Sequence, residues 1–276
     1  MLKDEFPRHE PLTNPNLKIV CWNIAKNKNH NWYSDFYDIH KRYKPHLFIF
    51  QEAKMEIKLE KLFKSRKMGW RFLPNIMHHK KQFLSGVLTA SSLFPVEVNI
   101  HKSNSREPVI QSPKATLMTT YEIANSDEKL LIINIHGINF VSLRHFRNQI
   151  HEIVEYGMHH HGPIIFSGDF NTWTKNRVLF LEKILNRKLN LIPIFFERKH
   201  KRKIKNFIFS PPLDHIFYSY KKMKLAKNSA EVLRHYKSSD HKPIFAEFRL
   251  CCQQYSFEKV VSKKIFSCRS SENNTD

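Results

Sequence analysis

Acidic, amide and imidazole side chains recur beside the ends of short apolar runs in this sequence. A carboxylate or amide at a buried strand end is costly unless it is paired or binds a metal. Six separate cases favour a shared explanation. If the strand ends meet, they form a cleft that holds one or two divalent cations, with histidines for proton transfer. The residues concerned are Asn23, Glu52, His136, Asp169 with Asn171, Asp214, and Asp240 with His241.

The stretch "PIIFSGDFNTW" places Asp169 and Asn171 two residues apart after an apolar run. In an extended chain both side chains point to the same face, while Phe170 points back to the core. Asp169 can then accept a proton from a water molecule that Asn171 helps to position. This spacing indicates a general base and its orienting amide.

The pair Asp240 and His241 in "SSDHKP" points to two different partners. Asp214 can hold the imidazole of His241 in one tautomer and stabilise its protonated form. Each residue also has a plain alternative, since an Asp after Gly is often a turn former and a lone His or Glu52 is often a surface residue. Spacing alone does not separate a metal hydrolase from a set of capping groups.

Short strands and a few amphipathic helices would position these side chains. Apolar residues at helical spacing predict helices around 32–43, 55–66, 143–157 and 178–185. Strands are predicted at "LKIVCWN", "HLFIFQE", "LSGVLTAS", "PVEVNIH", "KATLMTTYEI", "KLLIINIH", the run before Asp169, "LDHIFYS" and "PIFAEFRL". Most of these strands follow one another directly. The pattern therefore favours mixed, mostly antiparallel sheets of the α/β (α+β) class over a doubly wound parallel sheet.

The charge balance favours a polyanionic partner. The 276 residues include 46 Lys plus Arg against 25 Asp plus Glu, a net charge of +21. Nucleic acid is the first expectation and an anionic phospholipid surface the second, although a Lys-rich surface without such a partner is the alternative. The four cysteines have no C-x-x-C spacing and suit neither a zinc site nor a disulfide framework. The expectation is therefore a reducing compartment. No signal-peptide-like or membrane-spanning apolar run is apparent, so the expectation is a cytoplasmic protein, taken as a monomer.

The chain divides into three predicted regions. Residues 1–16 contain three prolines and predict an extended leader. Residues 17–250 carry all the strand and helix patterns and predict one domain. Residues 251–276 form a tail whose polar end predicts disorder in part.

The motifs together resemble the endonuclease/exonuclease/phosphatase superfamily, which has the DNase I-like fold. "WNI", "QE", "NIH", "GDFN", "LDHIF" and "SDHKP" occur in the order and approximate spacing of that superfamily, across nearly all of 17–250. "WNIAK", "QEA", "SGVLT", "REP", "NIHGINF" and "PLDHIFY" are similar to its YafD-like bacterial branch. The resemblance implies a four-layer sandwich, in which two face-to-face mixed sheets are flanked by helices, and a metal-dependent phosphoesterase.

The resemblance also implies a cation site. Glu52 resembles the principal metal-binding carboxylate, Asn23 its neighbour, and Asp240 a second metal-binding or orienting carboxylate. The implied cation is Mg²⁺, with Mn²⁺ as a possible substitute, because Mg²⁺ binds few carboxylates and shares its remaining positions with water and phosphate oxygens.

The implied catalytic group surrounds the phosphate. Asp169 resembles the residue that positions or deprotonates the attacking water, and Asn171 a phosphate contact. His136 and His241 resemble the pair that binds the scissile phosphate, with Asp214 the partner of one of them.

One arginine and two runs of histidine or basic residues remain. Arg106 in "SREP" resembles a phosphate-contacting arginine, although a loop salt bridge is the plain interpretation. "HHH" at 159–161 predicts exposed loop histidines rather than a metal site. A basic run is interpreted either as a solvated loop or as a polyanion contact beside the cleft. Its cations are Arg198, Lys199, Lys201, Arg202, Lys203 and Lys205.

Three functions follow from these patterns. The first is a Mg-dependent nuclease that cleaves DNA or RNA by in-line attack of an activated water. The second is a phosphatase or phospholipase C-type hydrolase that acts on phosphoinositides or other phospholipids. The third, a catalytically inactive nucleic-acid-binding module, is disfavoured because every expected catalytic position is filled.

Overall fold

Two β-sheets lie face to face, and each carries helices on its outer surface. The computed structural model describes residues 1–3, 11–78, 83–107, 113–196 and 211–251. The helices are α1 (Trp32–Tyr43), α2 (Ile57–Ser65), α3 (Leu143–Met158) and α4 (Lys175–Leu189), with a single 3₁₀ turn at Ala25–Asn27. The strands are β1 (Leu2–Lys3), β2 (Asn16–Asn23), β3 (Leu47–Lys54), β4 (Gly69–His78), β5 (Phe83–Ser91), β6 (Pro95–Arg106), β7 (Pro113–Glu122), β8 (Lys129–His136), β9 (Ile164–Asp169), β10 (Leu191–Pro193), β11 (Asp214–Ser219), β12 (Met223–Leu225), β13 (Glu231–Val232) and β14 (Ile244–Leu250).

The first sheet has the order β1-β4-β5-β3-β2-β14-β12, with β13 also paired to β14. The second has the order β10-β11-β9-β8-β7-β6. Among the described strands, β2 with β3 and β8 with β9 are the parallel pairs, and the other pairs are antiparallel. The predicted mixed, mostly antiparallel sandwich is confirmed.

Burial on both faces of the central strands explains their nearly continuous apolar sequences. Along β2, Ile19 and Cys21 point into the core between the sheets, whereas Val20 and Trp22 pack in the layer that contains α1 and α2. The second sheet buries its other face, including Phe166, against α3 and α4. Alternate residues of one strand therefore supply two different cores.

The helices follow the predicted apolar spacing. Trp32, Phe36 and Ile39 are the buried residues of α1, and the backbone at Lys44 turns left-handed to end the helix. On α4, the Thr174 side chain accepts a hydrogen bond from the Arg177 N–H and caps the first turn. The predicted helix at 178–185 is therefore the centre of a longer one.

Strand β4 was absent from the sequence prediction. It contains Pro74, which cannot donate a backbone hydrogen bond and therefore argues against a strand. The register with β5 shifts between Pro74 and Ile76, so the proline lies at an irregularity of the pairing. The leader also pairs with the sheets, because Leu2–Lys3 joins the edge of β4 and Leu12 is buried beside Ile123.

None of the helices in the described ranges is both long and apolar enough to cross a membrane.

Candidate active site

Three of the predicted site residues form a row along one edge of the second sheet. His136 ends β8 and Asp169 ends β9, and the parallel pairing makes them register partners. Asp214 begins β11, whose antiparallel pairing with β9 places it opposite Asp169. One strand start and two strand ends therefore meet at the same edge.

Two more residues come from the first sheet. Asn23 ends β2 and donates from Nδ2 to Asp169 Oδ2 over 3.0 Å, a bond that joins the two sheets. Glu52 lies in β3 where the register with β5 shifts, and its φ is 50°. Such an irregularity turns a side chain away from the face of the sheet that regular strand alternation would give it. Glu52 Oε1 lies 4.0 Å from His136 Nε2.

A buried amide pair holds the sheets together next to this edge. Gln51 Nε2 donates to Asn134 Oδ1 over 2.8 Å, and Asn134 Nδ2 lies 3.1 Å from the carbonyl oxygens of both Phe50 and Leu88. Gln51 precedes Glu52, and Asn134 lies two residues before His136. The amide pair therefore sets the separation of the two site residues.

Asp169 lies at the centre of the cluster and is buried. Its Oδ1 accepts from the Asn171 N–H over 3.0 Å, and its Oδ2 lies 3.9 Å from His241 Nε2 and 4.0 Å from His136 Nε2. Burial and then the charge of Asp214 raise the pKa of Asp169, and the charge of His241 offsets part of that rise. A raised pKa makes this carboxylate a stronger base.

Asp214 and His241 form the contact expected from the sequence. His241 Nδ1 donates to Asp214 Oδ2 over 2.7 Å. Burial alone would lower the pKa of His241, but the carboxylates of Asp214, Asp169 and Asp240 raise it to about 10. The imidazole is therefore protonated at neutral pH.

His136 has the opposite charge state. Burial, followed by the nearby charge of Lys114, lowers the pKa of His136 to about 3. Lys114 Nζ lies 3.2 Å from His136 Nε2 and 3.3 Å from Glu107 Oε1. Both charged residues are buried, and sequence reasoning missed them. Lys114 heads the otherwise apolar run "KATLM", which was the available signal for it.

A second lysine lies beside Glu52. Lys26 Nζ is 3.3 Å from Glu52 Oε2. Ala25, Lys26 and Asn27 all have positive φ, a costly conformation for residues with side chains. Sequence reasoning missed Lys26 because "AKN" carries no glycine to indicate such a turn.

The backbone at Asn171 differs from the extended chain expected from the sequence. Strand β9 ends at Asp169, and the φ of 52° at Asn171 is left-handed, so the expectation of an extended chain there was wrong. Its Nδ2 donates to Gly137 O over 2.8 Å, which holds the amide beside the end of β8. Phe170 is buried in the core under α3 and α4, as predicted.

Gly168 allows the close approach of β8 and β9 at this edge. Its φ is 150°, and a Cβ here would lie 1.9 Å from the Ile135 carbonyl oxygen. The strand before Asp169 therefore accepts only glycine at this position.

The remaining candidates are exposed or partly buried, or lie outside the described residues. Asp240 and Arg106 are exposed, with Asp240 Oδ1 3.5 Å from Ser239 Oγ. His159 and His161 are exposed, while His160 is partly buried and its Nε2 lies 2.8 Å from Lys129 O. The six cations of the 198–205 run fall outside the described residues.

The donor set fits a hard divalent cation. Potential ligand atoms of Asp169, Asp214 and His241 lie within 4.8 Å of one another, but a protonated His241 has no free nitrogen lone pair, so the two carboxylates are the donors of this group. Asp214 Oδ1 is buried and accepts no hydrogen bond from any described residue. The carboxylate of Glu52 and the amide oxygen of Asn23 are further oxygen donors, the ligand type that such cations prefer.

A four-layer sandwich with carboxylates and histidines gathered at one edge defines the class of DNase I-like phosphoesterases. The chain belongs to the endonuclease/exonuclease/phosphatase family, whose sequence model matches residues 20–241.

Bacterial proteins are among the curated relatives. A UPF0294 protein of Erwinia tasmaniensis is 33% identical over 233 residues, covering 84% of this chain and 81% of the relative. A UPF0294 protein of Klebsiella pneumoniae is 30% identical over 245 residues, covering 88% and 86%. They correspond to the YafD-like branch named from the motifs.

Solved structures share the fold at low identity. The human Nocturnin catalytic domain with bound sulfate has a TM-score of 0.64 and 16% identity, covering 87% of this chain and 96% of that one. ANGEL2, a 2′,3′-cyclic phosphatase, has a TM-score of 0.61 and 12% identity, covering 84% and 95%. Family and fold together support a phosphoesterase.

Proposed function

We propose that this protein is a Mg²⁺-dependent nuclease that hydrolyses phosphodiesters of DNA or RNA by in-line attack of water. The observation that carries the proposal is the position of Asp169. Its buried carboxylate lies within 4.0 Å of two histidines and is bonded to Asn23 across the sheets. The net charge of +21 supports a polyanionic substrate.

Glu52 and Asn23 would hold the cation, with Asp240 as an outer carboxylate. When bound, Mg²⁺ or a substituting Mn²⁺ polarises the phosphoryl group and stabilises the leaving oxygen.

Asp169 accepts the proton of the attacking water. As the water oxygen bonds to phosphorus, the opposite phosphorus–oxygen ester bond breaks and the leaving oxygen is finally protonated from solvent. The raised pKa of Asp169 favours this proton transfer. The Asn171 amide, held by Gly137, contacts the phosphate beside it.

His241 stabilises the charge that develops on the phosphate. Its Nε2–H faces the cleft, because Nδ1 is bonded to Asp214. A protonated donor of this kind stabilises the transition state more than the ground state. His136 is neutral, and Lys114 beside it supplies the positive charge on that side of the phosphate.

A substrate panel with Mg²⁺ and with EDTA tests this proposal. Plasmid DNA, RNA, abasic duplex, phosphoinositides and sphingomyelin are compared in the wild type and in Asp169→Ala and His241→Ala. We expect nucleic acid to be cleaved and both variants to lose on the order of a thousandfold in kcat with the fold intact.

Exposed residues provide matched controls. Asp127→Asn and His159→Ala should keep wild-type turnover. Release of phosphate or a headgroup from lipid, without cleavage of nucleic acid, would replace the nuclease with the lipid hydrolase. Near-full turnover in Asp169→Ala would refute its role as the base.

A further inference from the structure

A groove runs between α3 and α4 on the outer surface of the second helical layer. Its volume is about 600 Å³, and its lining includes the exposed Leu179 and the partly buried Phe180. Arg147, Lys183 and Arg187 are exposed along its sides. No acidic side chain of the described residues lines this α3–α4 groove. Its surface therefore combines apolar side chains with charged side chains that are all positive.

This groove continues toward the candidate active site. A second depression of about 570 Å³ shares Leu143 and Asn176 with it and is lined at its other end by Phe140 and Trp173. Trp173 lies two residues after Asn171 in the chain. The two depressions therefore adjoin and form one track, which starts at the loop that follows Asn171.

The inner end of the track is rigidly held. Trp173 Nε1 donates to Asn139 Oδ1 over 2.7 Å. The buried Arg177 donates from Nη1 to Asn171 O over 2.8 Å and from Nη2 to Val141 O over 2.5 Å. These bonds tie the two loops that carry the aromatic side chains to the site itself.

The exposed Phe140 and the partly buried Trp173 and Phe180 lie along the track. Phe140 is 75% exposed and has a φ of 52°, so a strained backbone holds a large apolar ring in solvent. Phe180 lies 5.1 Å under the guanidinium of Arg147. Aromatic faces beside cations are the combination with which proteins bind single-stranded nucleic acid, because bases stack on the rings and phosphates contact the cations.

The spacing of the cations favours a repeating anion over a single headgroup. Lys183 and Arg187 lie one helical turn apart on α4, and Arg147 faces them from α3. From Asn176 to Arg187, α4 extends roughly 16 Å. A single headgroup presents one phosphate, whereas a polynucleotide presents one at every nucleotide along a line.

We propose that the α3–α4 groove binds the single-stranded part of a polynucleotide whose scissile phosphate lies in the catalytic cluster. This inference rests on the proposed function and deepens it by naming single-stranded nucleic acid as the substrate class. Substrates that do not extend beyond the catalytic cluster do not reach the groove, so their binding and hydrolysis do not depend on it.

The test compares two triple variants with the same loss of charge. Arg147→Gln/Lys183→Gln/Arg187→Gln removes the cations of the groove, and Lys41→Gln/Lys61→Gln/Lys64→Gln removes exposed cations from α1 and α2 on the opposite side. Binding of a fluorescent single-stranded oligothymidylate is measured by anisotropy over a salt series. Cleavage of a long single strand and of bis(p-nitrophenyl) phosphate is measured in parallel.

We expect the groove variant to bind the strand on the order of tenfold more weakly and its salt slope to fall by about 2, from three lost phosphate contacts. The KM for the long strand rises, while turnover of the small diester is unchanged. Phe140→Ala also weakens binding about tenfold, and Phe140→Tyr retains it, because both rings stack. Equal losses in the two triple variants would overturn the proposal.

The outcomes separate this inference from the proposed function. Strand binding that depends on the groove, without any hydrolysis, would contradict the nuclease and leave the groove supported. Hydrolysis with unchanged strand binding in the groove variant would contradict the groove alone. Loss of binding to phosphatidylglycerol vesicles, with strand binding unchanged, would replace the polynucleotide with a lipid surface.

Discussion

Asp169 and Asp214 face each other as register partners across the antiparallel strands β9 and β11. Two carboxylates so placed repel each other, and Asp214 accordingly contributes to the raised pKa of Asp169, after burial. The imidazole of His241 compensates, since it bonds Asp214 at 2.7 Å and lies 3.9 Å from Asp169 Oδ2. The pKa of Asp169 therefore depends on the neighbouring hydrogen-bonded pair, which consists of Asp214 and the protonated His241.

Asp214→Asn is expected to lower kcat for a phosphodiester by roughly a hundredfold or more, with little change in KM. The amide removes the charge that keeps His241 protonated at neutral pH. Steady-state kinetics measure the loss, and ¹⁵N chemical shifts of the imidazole report its protonation. Asp127→Asn, at an exposed position, is the control. A protonated His241 with unchanged kcat in Asp214→Asn would disprove the coupling.

Lys26→Met is expected to tighten Mn²⁺ binding by several-fold. The ammonium group lies 3.3 Å from Glu52 Oε2, so it competes with a cation for the same carboxylate. Isothermal titration calorimetry measures the affinity without turnover. Lys28→Met removes a nearby exposed charge and should change the affinity less. Weaker binding in Lys26→Met would instead assign Lys26 to the positioning of Glu52.

Asn134→Leu is expected to reduce the free energy of unfolding by roughly 2–4 kcal/mol. The substitution leaves the buried Gln51 amide and the carbonyl groups of Phe50 and Leu88 without the partner that joins the sheets. Urea denaturation measures the change. The exposed substitution Asn104→Leu should stay within about 0.5 kcal/mol of the wild type. An equally small effect at Asn134 would show that the amide pair does not hold the sheets together.

His215→Gln is expected to make stability less sensitive to acid. Burial lowers the pKa of His215 to about 4, from about 6.5 in the unfolded chain. Between these values the unfolded state binds more protons, so the free energy of unfolding falls as pH decreases from 6.5 to 4.

Denaturation at pH 7 and pH 5 measures that effect. Wild-type protein should lose about 2 kcal/mol more than His215→Gln over this interval. His136 acts in the same direction, and His241, whose pKa is raised, acts in the opposite direction in both proteins. Equal losses of unfolding free energy in the two proteins would show that His215 is protonated in the folded state at pH 5.

Sequence reasoning identified the strands and helices that carry the site because their apolar patterns are local. It also identified the Asp214–His241 contact, since an acidic partner for a histidine is chemically expected. It missed β4, whose pattern Pro74 interrupts, and the backbone conformation at Asn171, where a left-handed turn follows the strand at once. Asparagine tolerates a left-handed backbone, but its presence alone does not indicate that such a turn follows a strand.

The sequence by itself determined which side chains end the buried strands, and therefore the chemical groups available for catalysis. Only the tertiary structure decided which atoms meet. Asn23 and Asp169 are 146 residues apart in the chain, and their hydrogen bond depends on how two separate sheets stack. The positions of Lys26 and Lys114, and with them the lowered pKa of His136, depend in the same way on strand register and burial. These long-range properties arise from packing, and local propensity carries no information about them.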